Sequence, residues 1–287
     1  VLGALREGGP VPAGGTGGWC LGRPPGGPGG VRRAWEPGGG DHPHGGVCGG
    51  HSHFSVTRAV AELGLGMRRA IAVPSRDWRM DPLVLRELLD SLAAKGTVVM
   101  AVVASAGTTA TGSFDDLSVI GPLCEERDLW LHVDGAHGAS AILSPAHRHR
   151  VRGLHHERSV AWDAHKMMLM PLSAGMLLVR EESDLTQAFA QHAPYLFHGA
   201  AGERAWDQGT RSLLCSRRAD ALKVWVAIQR YGLAGIAAPY DPLCAPTPRL
   251  PAQIAARRHL DSPHLPPTHL PCFPPPRTPP TSHGPPT

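Results

Sequence analysis

Lys166 stands in the stretch SVAWDAHKMM (159–168), directly after His165 and behind the apolar run Val160, Ala161 and Trp162. A lysine at the mouth of a strand, set among apolar residues, suits a Schiff-base amine. Desolvation there disfavours an ammonium, and the neutral amine is the nucleophile. A lone lysine is more often a surface residue closing a loop, so the reading needs a second group. The stretch LWLHVDGAHG (129–138) supplies one: a strand-like run ends in Asp134 and is followed by small residues. A buried Asp facing a flat heterocycle is the usual partner of a pyridinium nitrogen. The two stretches together suggest an amine that captures an aldehyde and a carboxylate that anchors the far side of the same ring.

The elements that must hold these groups follow from hydrophobic periodicity and caps. Residues 55–63 have Val56, Val60 and Leu63 at helical spacing, with Ser55 as cap and Gly64 as stop. Residues 70–73 form a short strand. Asp81 and Pro82 open a helix to about Lys95, with Leu83, Leu85, Leu88, Leu89 and Leu92 inward. Residues 97–104 are continuously apolar, as in a strand buried on both faces. Asp115 and Asp116 start another helix, to about Arg127. Strands follow at 129–133, 159–162 and 176–179. An amphipathic helix spans 215–231, with Ala221, Leu222, Trp225 and Ile228 on one face. Strands alternating with helices give an α/β layer around a largely parallel sheet.

Composition bounds the rest. The 287 residues include 35 Gly and 29 Pro, concentrated at the ends. Three segments are expected: 1–50, Gly/Pro-rich and largely unstructured; 51–236, the folded domain; and 237–287, a Pro-rich low-complexity tail. The folded part is then ~190 residues, one domain by size. A net charge of +4 with no long basic run gives nucleic-acid binding little support. The six cysteines form no CxxC pair, so neither a zinc site nor a disulfide framework is expected. No apolar run reaches membrane-spanning length and no signal peptide is visible. A soluble, cytoplasmic protein is the expectation, and the start at Val1 suggests a fragment.

The segments HSHFS (51–55), SAGTTATGSFDD (105–116), LHVDGAHG (131–138), SVAWDAHKMM (159–168) and DQGTRSLLCSRRADALKVW (207–225) occur in the order and near the spacing of a known family. In them the chain resembles the group II pyridoxal-phosphate-dependent decarboxylases, which act on glutamate, cysteine sulfinate, diaminobutyrate or aromatic amino acids. The resemblance implies the large domain of the fold-type I pyridoxal-phosphate enzymes. It implies pyridoxal 5′-phosphate as cofactor and conversion of an L-amino acid to its amine and carbon dioxide. It also implies a homodimer. By residue, it implies Lys166 as the Schiff-base lysine, Asp134 at the ring nitrogen, and His53 stacked on one ring face with Ala136 against the other. Thr109 falls near the ring oxygen and the substrate carboxylate, and His165 and Ser159 near the phosphate. Thr16, in a Gly14-Gly15-Thr16 run, lies where a phosphate loop is expected.

The chain also departs from that pattern. Asp163 stands where many members have Asn, and an Asp beside a phosphate repels it unless it points away or is protonated. The helix expected after Thr16 is replaced by Gly- and Pro-rich sequence. Arg217 matches a family Arg, or is a solvated charge at a helix start. The family's mobile loop carries a Tyr that protonates carbon across the dimer. Here no Tyr lies between Tyr195 and Asp207, and spacing supports neither His192 nor His198 as substitute. No pattern for a small C-terminal domain is present, and both ends read as if the frame departs from the family. A second reading is therefore a catalytically inactive remnant that binds cofactor or partners an intact subunit. A third, another fold-type I activity such as transamination, is opposed by the His53 and Gly-Thr-Thr motifs.

Overall fold

The computed structural model describes residues 44–189, 208–214 and 216–245. Among these residues the strands are β1 (His44–Gly49), β2 (Ala70–Val73), β3 (Ser75–Arg76), β4 (Arg79–Met80), β5 (Val98–Ser105), β6 (Trp130–Asp134), β7 (Ser159–Asp163) and β8 (Gly175–Val179). Six of them form one sheet in the order β2-β1-β5-β6-β7-β8, while β3 and β4 make a separate hairpin. All pairings in the large sheet are parallel except β7 with β8. The helices are α1 (Ser55–Glu62), α2 (Pro82–Ala94), α3 (Leu117–Glu126), α4 (Glu182–Ala188), α5 (Ala221–Ala237) and α6 (Tyr240–Cys244). The expected α/β architecture is present.

The central strands are apolar because both their faces are covered. Val102, Val103 and Ala104 of β5 are all buried, as are Leu131 and Val133 of β6 and Val160 of β7. Each such valine contributes about 1.5–3 kcal/mol on burial. Caps fall largely where the sequence puts them. The Asp81 carboxylate accepts from the N–H groups of Leu83 and Val84 at 2.9 and 3.5 Å, with Pro82 opening α2. Asp116 caps α3 through Ser118 N–H. Its neighbour Asp115 is not part of that start. It accepts from the N–H groups of Met80 and Ser105, both at 2.7 Å, and so ties the hairpin to the end of β5. Burial pushes the Asp115 carboxyl up, and these two bonds pull it partly back.

Four expectations are corrected. Residues 44–49 (HGGVCG), placed in the unstructured N-terminal segment, form β1 between β2 and β5. Its glycines fit that slot: a Cβ on Gly45 would stand 3.2 Å from the Arg69 carbonyl oxygen. Leu83 points outward and is 69% exposed, because it lies about 200° around the helix from Leu85. Helix α5 starts at Ala221, not at 215, and buries Val224, with Ala227 and Ile228 packed against the core. Trp225 and Leu222 of that helix are exposed. The core also runs past residue 237, since Tyr240 and Cys244 of α6 are buried in it.

Candidate active site

The parallel strands β1, β5, β6 and β7 all end at one edge of the sheet, where ligands of open α/β folds bind. The loops leaving these ends carry, in order, His53, Thr109, Asp134 with Ala136, and Lys166. All five line a single cavity of about 180 Å³. These five expectations from sequence therefore converge in space.

Close approach of two of the loops depends on glycine. Gly138 N–H donates to the Ala106 carbonyl at 2.9 Å. A Cβ on Gly138 would stand 2.4 Å from that same oxygen and 2.6 Å from the Phe114 ring. The turn after β5 is held by hydroxyls: Thr108 to Thr111 at 2.7 Å and Thr111 to Ser113 at 2.8 Å, all buried. Thr109, between them in sequence, is exposed and faces the cavity. His53 is oriented by the start of α1. The Ser55 N–H donates to His53 Nδ1 at 3.3 Å, and the Ser55 hydroxyl lies 2.9 Å from the same nitrogen. A backbone N–H can only donate, so in the neutral ring the proton is on Nε2. Ser55 is thus the first residue of the helix and a holder of His53, with Phe54 in the cap position. His51 instead packs its ring on Trp78, with centroids 5.0 Å apart.

Asp134 ends β6. Its carboxylate accepts from Ala136 N–H at 3.3 Å. Among the described residues it has no ion-pair partner within 4.0 Å. Burial pushes its carboxyl up, the Ala136 N–H and the charges of Lys166 and His53 lower it, and Asp163 raises it. A carboxylate in this position is stabilised by a cation brought into the cavity. A protonated pyridine nitrogen is such a cation, so the residues fit the cofactor that the sequence suggests. Lys166 Nζ lies 3.0 Å from Asp163 Oδ2, and both side chains line the cavity.

Two expected phosphate contacts are corrected. Ser159 is 0% exposed and begins β7, four residues before Asp163, which is roughly 13 Å along a strand. Its hydroxyl is used by Trp130 Nε1 at 2.9 Å and His132 Nδ1 at 2.8 Å. His165 does not line the cavity: its Nδ1 accepts from Ala174 N–H at 3.0 Å, and its Nε2 lies 3.7 Å from Asp163. Arg217 donates to Gln208 Oε1 at 2.9 Å. Thr16, His192, His198 and the Tyr-lacking segment lie outside the described residues. The sequence reading missed His132 and Ala161 as cavity residues. Strand periodicity could have found them, since they stand two positions from Asp134 and Asp163 respectively. It also missed Met176 and Leu177, the apolar wall that β8 supplies.

Residues 44–264 match the model of the pyridoxal-dependent decarboxylase conserved domain. An L-aspartate decarboxylase of Metarhizium robertsii is 39% identical over 186 residues, covering 64% of this chain and 37% of the relative. The cysteine sulfinic acid decarboxylase of Rattus norvegicus is 35% identical over 212 residues, covering 73% and 43%. The crystal structure of mouse CSAD in apo form superposes with a TM-score of 0.70 at 32% identity, over 79% of this chain and 47% of that one. The chain thus spans less than half the length of the relatives it matches. Pyridoxal phosphate is the cofactor this family's domain is built around, and the chain belongs to the pyridoxal-dependent decarboxylase family.

Proposed function

We propose that this chain is a pyridoxal-phosphate-dependent amino acid carboxy-lyase, with Lys166 as the amine that captures the cofactor. The observation that carries the reading is Asp134: a partly buried carboxylate without an ion-pair partner among the described residues, facing the same cavity as Lys166. When bound, the cofactor supplies an electron sink for the pair left at Cα as carbon dioxide departs. Asp134 holds a proton at the ring nitrogen, which keeps that sink effective. His53 and Ala136 would bound the ring from two loops, and His53 presents an Nε2–H. Thr109 offers a hydroxyl toward the substrate carboxylate. Ala161, Met176 and Leu177 make an apolar wall that keeps water from the reacting carbon. Lys166 would hold the cofactor through its amine, at the position a substrate amine must take.

Relatives at 39% and 35% identity are named for aspartate and cysteine sulfinic acid, so short acidic amino acids are the first substrates to try. A second reading is supported by the absence of Tyr between Tyr195 and Asp207. It makes the chain a cofactor binder that does not turn over, as a remnant or a partner of an intact subunit. The test is a titration with pyridoxal phosphate, followed by assay of carbon dioxide release from L-aspartate and L-cysteine sulfinate. A visible absorbance band that Lys166→Ala abolishes, with carbon dioxide release, supports the first reading. The same band without release supports the second. A colourless wild-type protein overturns both.

A further inference from the structure

Asp163 stands where the family resemblance leads one to expect Asn in many members, and its surroundings give it a task. It is the last residue of β7 and is fixed by its own N–H, which donates to the Ala136 carbonyl at 3.1 Å. The chain then turns tightly, with Lys166 N–H donating to the Asp163 carbonyl at 3.1 Å. This turn brings the two side chains together, with Nζ 3.0 Å from Oδ2. The Asp163 side chain is 16% exposed and the Lys166 side chain 40%. The His165 ring lies near the same carboxylate oxygen. Its Nδ1 accepts a backbone N–H, so in the neutral ring Nε2 carries the proton, 3.7 Å from the same carboxylate oxygen. Asp163 is thus held in place by backbone and turn, and the oxygen that faces the amine is also the one nearest the His165 ring. The other ionisable side chains lining the cavity are Asp134, His53, His132 and His137. Among the described residues, Lys166 makes its only ion pair within 4.0 Å with Asp163.

We propose that Asp163 is a positioning residue that clamps the Lys166 ammonium at the cavity wall and competes with the cofactor for this amine. An amine engaged with a carboxylate is a poor nucleophile, so the ion pair must open before the cofactor is captured. The inference rests on the proposed role of Lys166, but its first test does not require cofactor.

The chain's lysines are Lys95, Lys166 and Lys223. Lys95 is exposed, and Lys223 is held by Asp220 at 2.8 Å, so the two serve as internal references. Cofactor-free wild-type and Asp163→Asn proteins are treated with a limiting amine-acylating reagent, and each lysine is quantified by mass spectrometry. The expected result is a rise of about two- to fivefold at Lys166 only, the size set by one partly exposed ion pair. An unchanged or lower Lys166 value, with the references constant, overturns the clamp. If Lys223 rises as well, the variant has lost its fold, and Asp163→Ser provides the same comparison. The second test is the rate of capture of pyridoxal phosphate and of phosphate-free pyridoxal. Both accelerate in Asp163→Asn if the carboxylate competes for the amine. Acceleration with pyridoxal phosphate alone shows repulsion of the phosphate instead, and overturns the proposal.

Discussion

Strands β6 and β7 carry polar side chains at both ends of one sheet face, and the two ends treat them in opposite ways. At the start, Trp130 and His132 are joined through the Ser159 hydroxyl, although His132 also reaches the cavity wall. Indole Nε1–H can only donate, so it donates to the Ser159 oxygen. The Ser159 hydroxyl in turn lies 2.8 Å from His132 Nδ1. Burial pushes the His132 imidazole down to about 3, so it is neutral. At the carboxyl ends, Asp134 and Asp163 face a cavity, with one backbone N–H and one lysine between them. Burial raises Asp134 there with nothing bonded strongly enough to offset it. A buried polar group closed on its neighbours stabilises the fold. One left facing a cavity is poised to take a ligand.

Substitutions at the two ends should therefore fail in different ways. The largest effect is at the open end: Lys166→Ala removes the cofactor-linked absorbance band and leaves the denaturation midpoint near wild type. Next, Asp134→Asn keeps the shape but cannot neutralise a ring cation. Turnover should fall by roughly 10²-fold or more, read as the rate of carbon dioxide release. At the closed end, Ser159→Ala removes the hydroxyl that Trp130 Nε1 and His132 Nδ1 share. It should cost about 1–3 kcal/mol in denaturant unfolding while cofactor affinity stays within about twofold. Loss of cofactor without loss of stability would return Ser159 to the site and erase the contrast.

A pH dependence tests the closed end separately. His132 has a folded-state value of about 3, below its unfolded value of about 6.5. Between the two the unfolded chain binds the extra proton, so stability is full above the unfolded value and declines as pH falls toward the folded one. Urea midpoints measured from pH 7 to pH 4 should fall less steeply in His132→Leu than in wild type.

The contrast also explains what the sequence could tell. Asp134, Ala136 and Lys166 were legible because each sits where a strand ends, and strand ends are marked by apolar runs giving way to small or polar residues. The Asp81-Pro82 start of α2 was legible because capping is local chemistry. Ser159 was misread because a motif position does not say which end of the strand faces the ligand. That depends on His132 and Trp130, which are local in space and not in sequence. β1 was missed because HGGVCG has the composition of a loop. Its strand character comes from its neighbours: β2 on one side and β5 on the other supply the hydrogen bonds, and the glycines need no room. Leu83 and Trp225 were misplaced for a simpler reason. A helix with apolar residues on more than one face buries the stripe that packing selects, and composition does not name that stripe.

The central claim is that Lys166 is the amine that takes the cofactor. Wild-type protein is mixed with pyridoxal phosphate, treated with borohydride, digested and sequenced by mass spectrometry. The account predicts a pyridoxyl group fixed on Lys166 and absent from Lys95 and Lys223. A label on either of those lysines instead, or none on any, would contradict it.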